Sequence, residues 1–548
     1  MRTRTIVTTL VAAVSAPHAY ACTSENTPSN LKSLPSKIDH LYSDFQGSTG
    51  TITGSVCGCK LLSQLSPDAV HSPNTTIYTD EQSHFWSATA RLLPKCVFIP
   101  TTPSDVSLGL LVAKKCKAEF AVRGEGHMPI PGAANRDGGI LFAMSALNKI
   151  ELTPDGKSVQ IGPGNSWGNV YNYLTKYGLY CIGGRVGIVG VPGLLLGGGL
   201  NYFANKYGFA MDNLLSAEVV LASGEIVKAT KSNSYKDLFW ALKGGSGQFG
   251  IVTNFELKTF EIPVVWSGMS LFAAAAPTDP AFDTFYSAMV NLTNSGYTDH
   301  GAGVIAQVQY SSQGTDKAPF IGGMGIFMHE GSETDPKIFS DFKKVPWLPP
   351  TIPYNITSPA FMPGAISGKA SPGSVDDRYL FHIESSVATP EAAKIMHKIF
   401  YSMTSKLSAT VPSLTTSGVA VQAIPVSTIA NGKSDPDNFT GNTFGLKQGQ
   451  SQIWYCLSIG WKDAREDEAA NKWAAAFGDA LVKELRKKGL LSNDGRGFEY
   501  MNDASAGQDV FSKYGKQELK KLMEVRDKYD PRGKVFGKNG LAKGGFKF

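Results

Sequence analysis

FAVRGEGHMPIPGAANRDGG, residues 120–139, is the stretch that decides the fold. Residues 120–122 form an apolar run that is typical of a buried strand. The next five residues, Arg123-Gly124-Glu125-Gly126-His127, interrupt the run with two glycines and one imidazole. Glycines allow a sharp turn and bring backbone N–H groups close to a ligand, so the turn predicts a pyrophosphate-binding loop. The alternative is an ordinary glycine-rich turn that carries a surface histidine.

A second glycine-rich stretch, residues 181–208, reads CIGGRVGIVGVPGLLLGGGLNYFANKYG. Its glycines alternate with Val, Ile and Leu, and Gly197-Gly198-Gly199 follow one another directly. Such a segment presents bare backbone that can lie flat against a large planar ligand. A flexible linker would have polar, Ser-rich flanks, whereas these flanks are apolar.

Together these residues resemble a known family. The Arg-x-x-Gly-His loop is similar to the pyrophosphate loop of vanillyl-alcohol-oxidase-type flavoproteins. Residues 181–208 resemble the G-x-x-G-V-x-G-x-x-x-G-G-G signature of the berberine-bridge-enzyme-like, oxygen-dependent FAD-linked oxidoreductases, above all the secreted fungal members. The resemblance is strong over residues 93–260 and moderate over residues 500–536.

The resemblance implies an FAD cofactor and a covalent bond from His127 to the flavin 8α-methyl group. A second bond, to flavin C6, would need a cysteine where this chain has Val186, and Cys181 lies five residues too early. His127 is therefore expected to be the only attachment point. The implied cofactor-binding residues are Arg123, Gly124, Glu125, Gly126, His127, Met128, Ser145, Val186, Gly187, Val189, Gly190, Gly197, Gly198, Gly250, Val252 and Asn502.

The implied reaction is oxidation of an alcohol, or of a related C–H or C–N centre, in a small molecule such as a secondary metabolite. Hydride would pass to flavin N5, and molecular oxygen would reoxidise the flavin and give H2O2. Val189 is expected beside the flavin edge, where a valine permits access of oxygen. The carboxylate base of the family has no clear counterpart, since Gln422 and Asn442 near its place cannot act as bases. Tyr500, Tyr455 and Glu384 are the catalytic candidates, chosen by their location.

Two motifs point to other classes of protein. Residues 164–168 fit G-x-S-x-G, so a serine hydrolase that uses Ser166 is one alternative, and the other reading is that Ser166 caps a helix. Residues 245–250 fit G-x-G-x-x-G, but a helix precedes them and a strand follows, which is the reverse of the NAD-binding order. An oligosaccharide oxidase of the same fold and a non-enzymatic flavin-binding protein are further alternatives.

The first residues predict export from the cell. Arg2 and Arg4 precede an apolar run that ends before Ala19-Tyr20-Ala21, a small-x-small cleavage pattern, and the run is too short to span a bilayer. Seven cysteines and four N-glycosylation sequons, at Asn74, Asn291, Asn355 and Asn438, agree with secretion as a glycoprotein. The resemblance implies a disulfide from Cys57 or Cys59 to Cys96, and Cys181 and Cys456 are expected to be buried thiols.

The net charge of +6 without a basic cluster argues against nucleic-acid or membrane partners, and a monomer is expected. The fold class is α+β. Residues 1–21 are the predicted signal peptide, 22–91 an extension packed on the FAD domain, and 92–262 a two-part PCMH-type FAD-binding domain. Residues 263–492 are predicted to form an antiparallel substrate domain covered by helices, with 346–372 as a loop, and 493–548 to return to the FAD domain.

Overall fold

The computed structural model describes residues 29–49, 53–311, 319–367 and 376–548. The predicted signal peptide and Cys22 lie outside these ranges. Within them the chain forms three β-sheets with associated helices, which confirms the α+β class. In the same part of the chain, no helix is long and apolar enough to cross a membrane.

The N-terminal part of the chain is mostly helical and packs on the first sheet. Its elements are α1 (Ser29–Thr49), α2 (Gly54–Leu65), β1 (Val70–His71) and α3 (Thr76–Ser83). Two disulfides hold α2 in place. Cys96 pairs with Cys59 rather than with Cys57, the two partners that the resemblance allowed, and the second disulfide, Cys57–Cys116, was not predicted.

The first sheet continues with β2 (Cys96–Phe98), α4 (Pro103–Cys116), β3 (Phe120–Arg123) and β4 (Ile140–Ala143). Its strand order is β1-β2-β4-β3, and the last three strands run parallel. Thr102 forms a capping box with Asp105 and starts the helix that crosses from β2 to β3. β3 therefore lies at an edge of the sheet and leads directly into the loop at residues 123–127.

The second sheet is antiparallel, in the order β5-β6-β10-β8-β9, and β7 pairs with the far end of β10. Its elements are β5 (Ile150–Leu152), β6 (Ser158–Ile161), α5 (Trp167–Leu174), β7 (Leu179–Cys181), α6 (Val191–Leu196), α7 (Ala204–Tyr207), β8 (Leu214–Val220), β9 (Ile226–Thr230), α8 (Lys236–Leu242) and β10 (Ile251–Glu261). Helix α8 precedes the glycines at 244–250 and strand β10 follows them, so the order is the reverse of an NAD-binding unit, as predicted.

The third sheet has seven antiparallel strands in the order β14-β11-β13-β12-β16-β17-β15. Its elements are β11 (Val265–Ala273), α9 (Ala281–Ser295), β12 (Ala302–Ser311), β13 (Phe320–Glu330), β14 (Ile352–Thr357), α10 (Phe361–Ser367), β15 (Arg378–Val387), α11 (Pro390–Thr404), α12 (Leu407–Thr410), β16 (Leu414–Ile424), α13 (Val426–Asn431), β17 (Gln452–Trp461) and α14 (Asp467–Lys487), and α15 (Lys516–Tyr529) follows it in the chain. One face of this sheet packs on α9, α11 and α14, and the other faces the second sheet.

Of the predicted loop at residues 346–372, the described part, residues 346–367, is not a simple loop, contrary to the prediction. They contain β14, which pairs with edge strand β11, and α10. The Pro, Ser and Gly content of this segment indicated a loop, but β14 is an edge strand, and an edge strand tolerates a proline such as Pro353. The Pro363 carbonyl and the Ser367 hydroxyl of α10 both accept a hydrogen bond from the Gly187 N–H, at 2.9 Å and 2.8 Å.

Candidate functional site

A cavity of about 710 Å³ opens between the three sheets, and most of the predicted cofactor residues line it. Its walls come from the loop after β3, the glycine-rich stretch, the turn before β10 and the C-terminal segment. The predicted residues on these walls are Gly124, Glu125, Gly126, His127, Met128, Val186, Val189, Gly190, Gly197, Gly250, Val252, Tyr500 and Asn502. Residues more than 370 positions apart in the chain thus meet around one space.

The other predicted cofactor residues lie behind these walls. The buried Arg123 guanidinium donates to the Glu81 carboxylate, to which the Ser145 hydroxyl also donates at 2.6 Å. Although burial opposes the change, these partners hold the pKa of Glu81 below its ordinary value. Arg123 and Ser145 therefore fix the loop from behind. Gly187 packs on α10, and Gly198 packs against Phe444 and Tyr500.

Packing explains the two glycines of the loop after β3. Gly126 has φ +68°, and a Cβ there would lie 2.6 Å from the His84 carbonyl oxygen. A Cβ on Gly124 would lie 2.6 Å from the Pro192 ring. Any larger residue would therefore push the loop off its supports and change the position of His127.

His127 is held at the cavity wall by an aromatic stack. The Trp86 ring lies 4.5 Å from the imidazole at an interplanar angle of 26°, and Tyr379 and Phe381 stack on Trp86 in turn. Nδ1 of His127 is buried, and it has no hydrogen-bond partner among the described residues. Burial lowers the pKa of His127 to about 4, so the imidazole is neutral at physiological pH. A neutral ring with an unused nitrogen lone pair is a nucleophile.

Gly193 in α6 and Gly247 in the turn before β10 form a part of the cavity lining, here called the glycine wall, that carries no side chain at these two positions. A Cβ built on Gly193 or on Gly247 meets no atom within 4 Å, although both residues line the cavity. Their bare backbone therefore leaves room for a ligand against the wall. Val186 and Val189 also face this space. Cys181, in contrast, is fully buried in β7, and burial raises the pKa of its thiol.

Tyr500 lies in the cavity wall, but its hydroxyl is already engaged. The oxygen accepts hydrogen bonds from the Gly199 and Leu200 N–H groups, each at 3.0 Å, and from the Asn502 amide at 3.0 Å. Burial, with the nearby Asp503 carboxylate, raises the pKa of Tyr500 to about 12. The phenol therefore stays protonated at neutral pH, and it ties the C-terminal segment to the glycine-rich stretch.

Tyr455 and Glu384 do not line the cavity, because alternate residues of a strand point to opposite faces of a sheet. Tyr455 packs under the outer helices and bonds Ser386 at 3.1 Å. Glu384 bonds His382 at 3.3 Å, whereas Phe381, at the opposite parity of β15, faces the cavity. The sequence predicted an antiparallel sheet over this part of the chain, but not which face of the sheet each side chain occupies.

A polar network that the sequence analysis did not assemble reaches the cavity through Asp503. The Gln422 amide donates to the Asp503 carboxylate at 2.7 Å, and its oxygen accepts from Arg185. Arg185 and Asp503 both line the cavity. Burial raises the pKa of Asp503, although Arg185, Gln422 and the Cys456 thiol stabilise the charged form. The network therefore holds a half-buried carboxylate whose pKa lies above its ordinary value.

The cavity also contains contributions that the sequence analysis missed. Phe381 and residues 542–547 line the cavity, and Trp86 stacks on His127 from behind the wall; all of them lie far along the chain from the two glycine-rich stretches. For the polar network described above, the sequence offered one signal: Asp503 stands where the resemblance predicts an aromatic residue after Asn502. Among the described residues, no group of His, Cys, Asp or Glu side chains is arranged to hold a metal ion.

Ser166 acts as a helix cap. Its hydroxyl accepts the Asn169 N–H at 3.4 Å at the start of α5, and it does not line the cavity. This position accounts for the serine in the G-x-S-x-G pattern without a nucleophilic role.

Comparisons with known proteins agree with this geometry. Residues 94–230 match the family described as FAD binding domain. The FAD-dependent monooxygenase prx3 of Penicillium roqueforti is 34% identical over 504 residues, which span 89% of this chain and 93% of that protein.

Solved structures show the same fold at low identity. Xylooligosaccharide oxidase from Myceliophthora thermophila C1 superposes with a TM-score of 0.69 at 20% identity, over 90% of this chain and 100% of that chain. Berberine bridge enzyme from Eschscholzia californica gives a TM-score of 0.66 at 16% identity, over 87% and 96% of the two chains.

Proposed function

Because the chain belongs to the berberine-bridge-enzyme-like FAD-linked oxidoreductases, we propose that it oxidises an alcohol, or a related C–H or C–N centre, of a small molecule. Molecular oxygen is the proposed electron acceptor, and H2O2 the second product. The observation that carries this proposal is the Asp503 carboxylate, which faces the same cavity as His127 and the glycine wall.

The residues around the cavity fit FAD. The glycine wall at Gly193 and Gly247 leaves space that a planar ring system can fill, and the buried Nδ1 of His127 lacks a partner among the described residues. Bound FAD would supply the hydride acceptor and return electrons to oxygen. We propose one covalent bond, through His127, since Val186 has no thiol and Cys181 lies in the core.

Asp503 is the proposed base. A carboxylate can take the hydroxyl or amine proton of the substrate, whereas Tyr500 keeps its own proton and Gln422 cannot accept one. Gln422 orients the carboxylate by its hydrogen bond, Arg185 holds the Gln422 amide, and both residues stabilise the charged form of Asp503. Burial of the group places its pKa above the ordinary value, closer to the working pH of a general base.

Asp503→Asn tests this role. The substrate is first sought by anaerobic bleaching of the flavin with a panel of benzylic alcohols, aliphatic alcohols, amines and xylobiose. With the best compound of the panel, Asp503→Asn is expected to slow flavin reduction by a factor of about 100 or more. In the wild type, flavin reduction should slow as the pH falls through the pKa of Asp503, and this acid limb should disappear in the variant.

The matched control is Asp509→Asn, an exposed carboxylate six positions further along the same segment. It should leave both the rate and the pH profile unchanged. An Asp503→Asn variant that reduces its flavin as fast as the wild type, with the same acid limb, would exclude Asp503 as the base.

The wild-type protein and the same panel of compounds also distinguish two other activities from the proposed oxidase. The relative in Penicillium roqueforti is named a monooxygenase, so oxygen transfer to the substrate is a second candidate. Labelled oxygen in the product would establish it, whereas one H2O2 per substrate establishes an oxidase. If xylobiose bleaches the flavin and the other compounds of the panel do not, the oligosaccharide oxidase alternative is favoured.

We propose that the protein is secreted as a monomeric glycoprotein after cleavage behind Ala21. Two disulfides are typical of an oxidising compartment, and all four sequon asparagines are exposed. N-terminal sequencing, glycosidase treatment and light scattering of the secreted protein test the three parts of this statement.

A further inference from the structure

Residues 542–548 form a strap across one side of the cavity, and the strap is anchored first on β3. Ala542 pairs in parallel with Phe120, whose N–H donates to the Leu541 carbonyl at 3.0 Å, while the Lys543 N–H donates to the Phe120 carbonyl at 2.6 Å. The strap thus covers the open edge of the strand that leads to His127. Gly545 then donates its N–H to the Ala133 carbonyl at 3.1 Å.

The second anchor lies on the other side of the cavity, at the turn before β10. The Phe548 N–H donates to the side chain of the fully buried Gln248 at 3.1 Å. The Arg526 guanidinium lies 5.2 Å from the centre of the Phe548 ring, and it also donates to the Phe548 carbonyl at 3.3 Å. Each anchor lies next to residues that line the cavity, Val122 in β3 and Gly247 before β10, and residues 543–547 between the anchors line it as well.

Basic side chains are concentrated on this side of the cavity. Arg136, Lys543 and Lys547 all line it. Glu119 pairs with the first two, at 2.7 Å and 3.2 Å. For Lys547, no carboxylate of the described residues lies within ion-pair distance, and its ammonium donates to the Ala542 carbonyl. Burial and the neighbouring Lys543 lower the pKa of Lys547 to about 8. A half-buried cation of this kind is stabilised by an anion in the cavity.

We propose that the strap is part of the FAD site and that the Lys547 ammonium pairs with the diphosphate bridge of FAD. The strap then joins two walls of the cofactor cavity and supplies positive charge to the most negatively charged part of the cofactor. The proposal rests on FAD as the occupant of the cavity, and it is independent of the substrate and of the base.

The test measures FAD affinity without any substrate. His127→Ala serves as the parent, because a covalent bond would hide changes in affinity. In this parent, Lys547→Met is expected to raise the Kd for FAD, measured by fluorescence titration of the apoprotein, on the order of tenfold. Lys547→Arg keeps the charge, and it should stay within about threefold of the parent.

The matched control is Lys538→Met, an exposed lysine shortly before the strap, which should leave the Kd unchanged. The thermal midpoints of the FAD-free variants should also agree with one another. Parent-like FAD affinity in Lys547→Met would overturn the proposal, and so would an equal loss in the Met and Arg variants. A parent that binds no FAD would instead contradict the cofactor site as a whole, whereas a failed Asp503 experiment would leave the strap unaffected.

Discussion

At the scale of single residues, Val189 occupies a fixed position on the glycine-rich wall. Its N–H donates to the Val186 carbonyl at 3.2 Å, and its carbonyl accepts the Trp167 N–H at 2.9 Å. The side chain therefore faces the cavity from a backbone that is held on both sides. For the proposed reoxidation by oxygen, we expect a small branched side chain at this point to leave a path that a longer side chain would narrow.

Val189→Leu is expected to slow reoxidation of the flavin by oxygen about tenfold, with little change in anaerobic reduction by substrate. Stopped-flow measurement of the two half-reactions separates these effects. Val186→Leu enlarges another valine that lines the same cavity. Comparing its reoxidation rate with that of Val189→Leu shows whether the effect is specific to position 189 or follows from any added bulk in the cavity. Equal slowing of both half-reactions in Val189→Leu, or unchanged reoxidation, would contradict the role of Val189.

At the scale of elements, the segment between α3 and β2 acts on the loop after β3. The Trp86 N–H donates to the Gly126 carbonyl at 3.1 Å, and the Trp86 ring stacks between His127 and Tyr379. An element from the N-terminal part of the chain thus sets the plane of the imidazole. Formation of the proposed covalent bond would depend on that plane, because reacting atoms must be aligned within narrow limits.

Trp86→Ala is expected to reduce the fraction of FAD that remains bound to the protein after acid precipitation, to less than about half. His127→Ala should release all of it, and Trp86→Phe should retain most of it, because a ring is preserved. Trp473→Ala, on outer helix α14, is the control. Full retention of covalent FAD in Trp86→Ala would show that the stack does not position His127.

At the scale of the whole molecule, buried ionisable groups join the third sheet to the C-terminal segment. Glu499 is buried beside Lys513, whose ammonium lies 3.5 Å away, and His382 and Glu384 complete the group. Burial, with repulsion from Glu384, raises the pKa of Glu499 from 4.5 to about 7. Folding therefore favours the neutral acid, so its stability contribution is complete below pH 4.5 and is lost as the pH rises to about 7.

Glu499→Gln is expected to match the wild type in stability near pH 4.5 and to exceed it above pH 7. The gain in the free energy of unfolding should be on the order of 2 kcal/mol at the higher pH. Denaturant unfolding at a series of pH values checks this, with the exposed Glu391→Gln as the control. A difference that does not vary with pH would rule out Glu499 as its source.

The glycines at residues 123–127 and 181–208 carried the family resemblance that implied FAD, and twelve of the sixteen residues that it implied for cofactor binding line the cavity. These signals are local: a turn that requires φ > 0, or a backbone that must be bare, restricts the residue at its own position. The antiparallel sheet with covering helices was likewise predicted from strand and helix patterns, because the periods of 2 and 3.6 are also local.

Only the tertiary structure shows which residues that are distant in the chain come into contact. Trp86 and the strap carry no local signal, since each acquires its role from an element that packs against it, and the sequence marks Asp503 only as a departure from the aromatic residue that the resemblance predicts. Tyr455 and Glu384 were chosen by position, and their strands turned them away from the cavity. The Cys57–Cys116 pairing likewise required α2 to lie on α4. Chain order constrains neighbours along the sequence, whereas contacts across the cavity follow from how the sheets close around it.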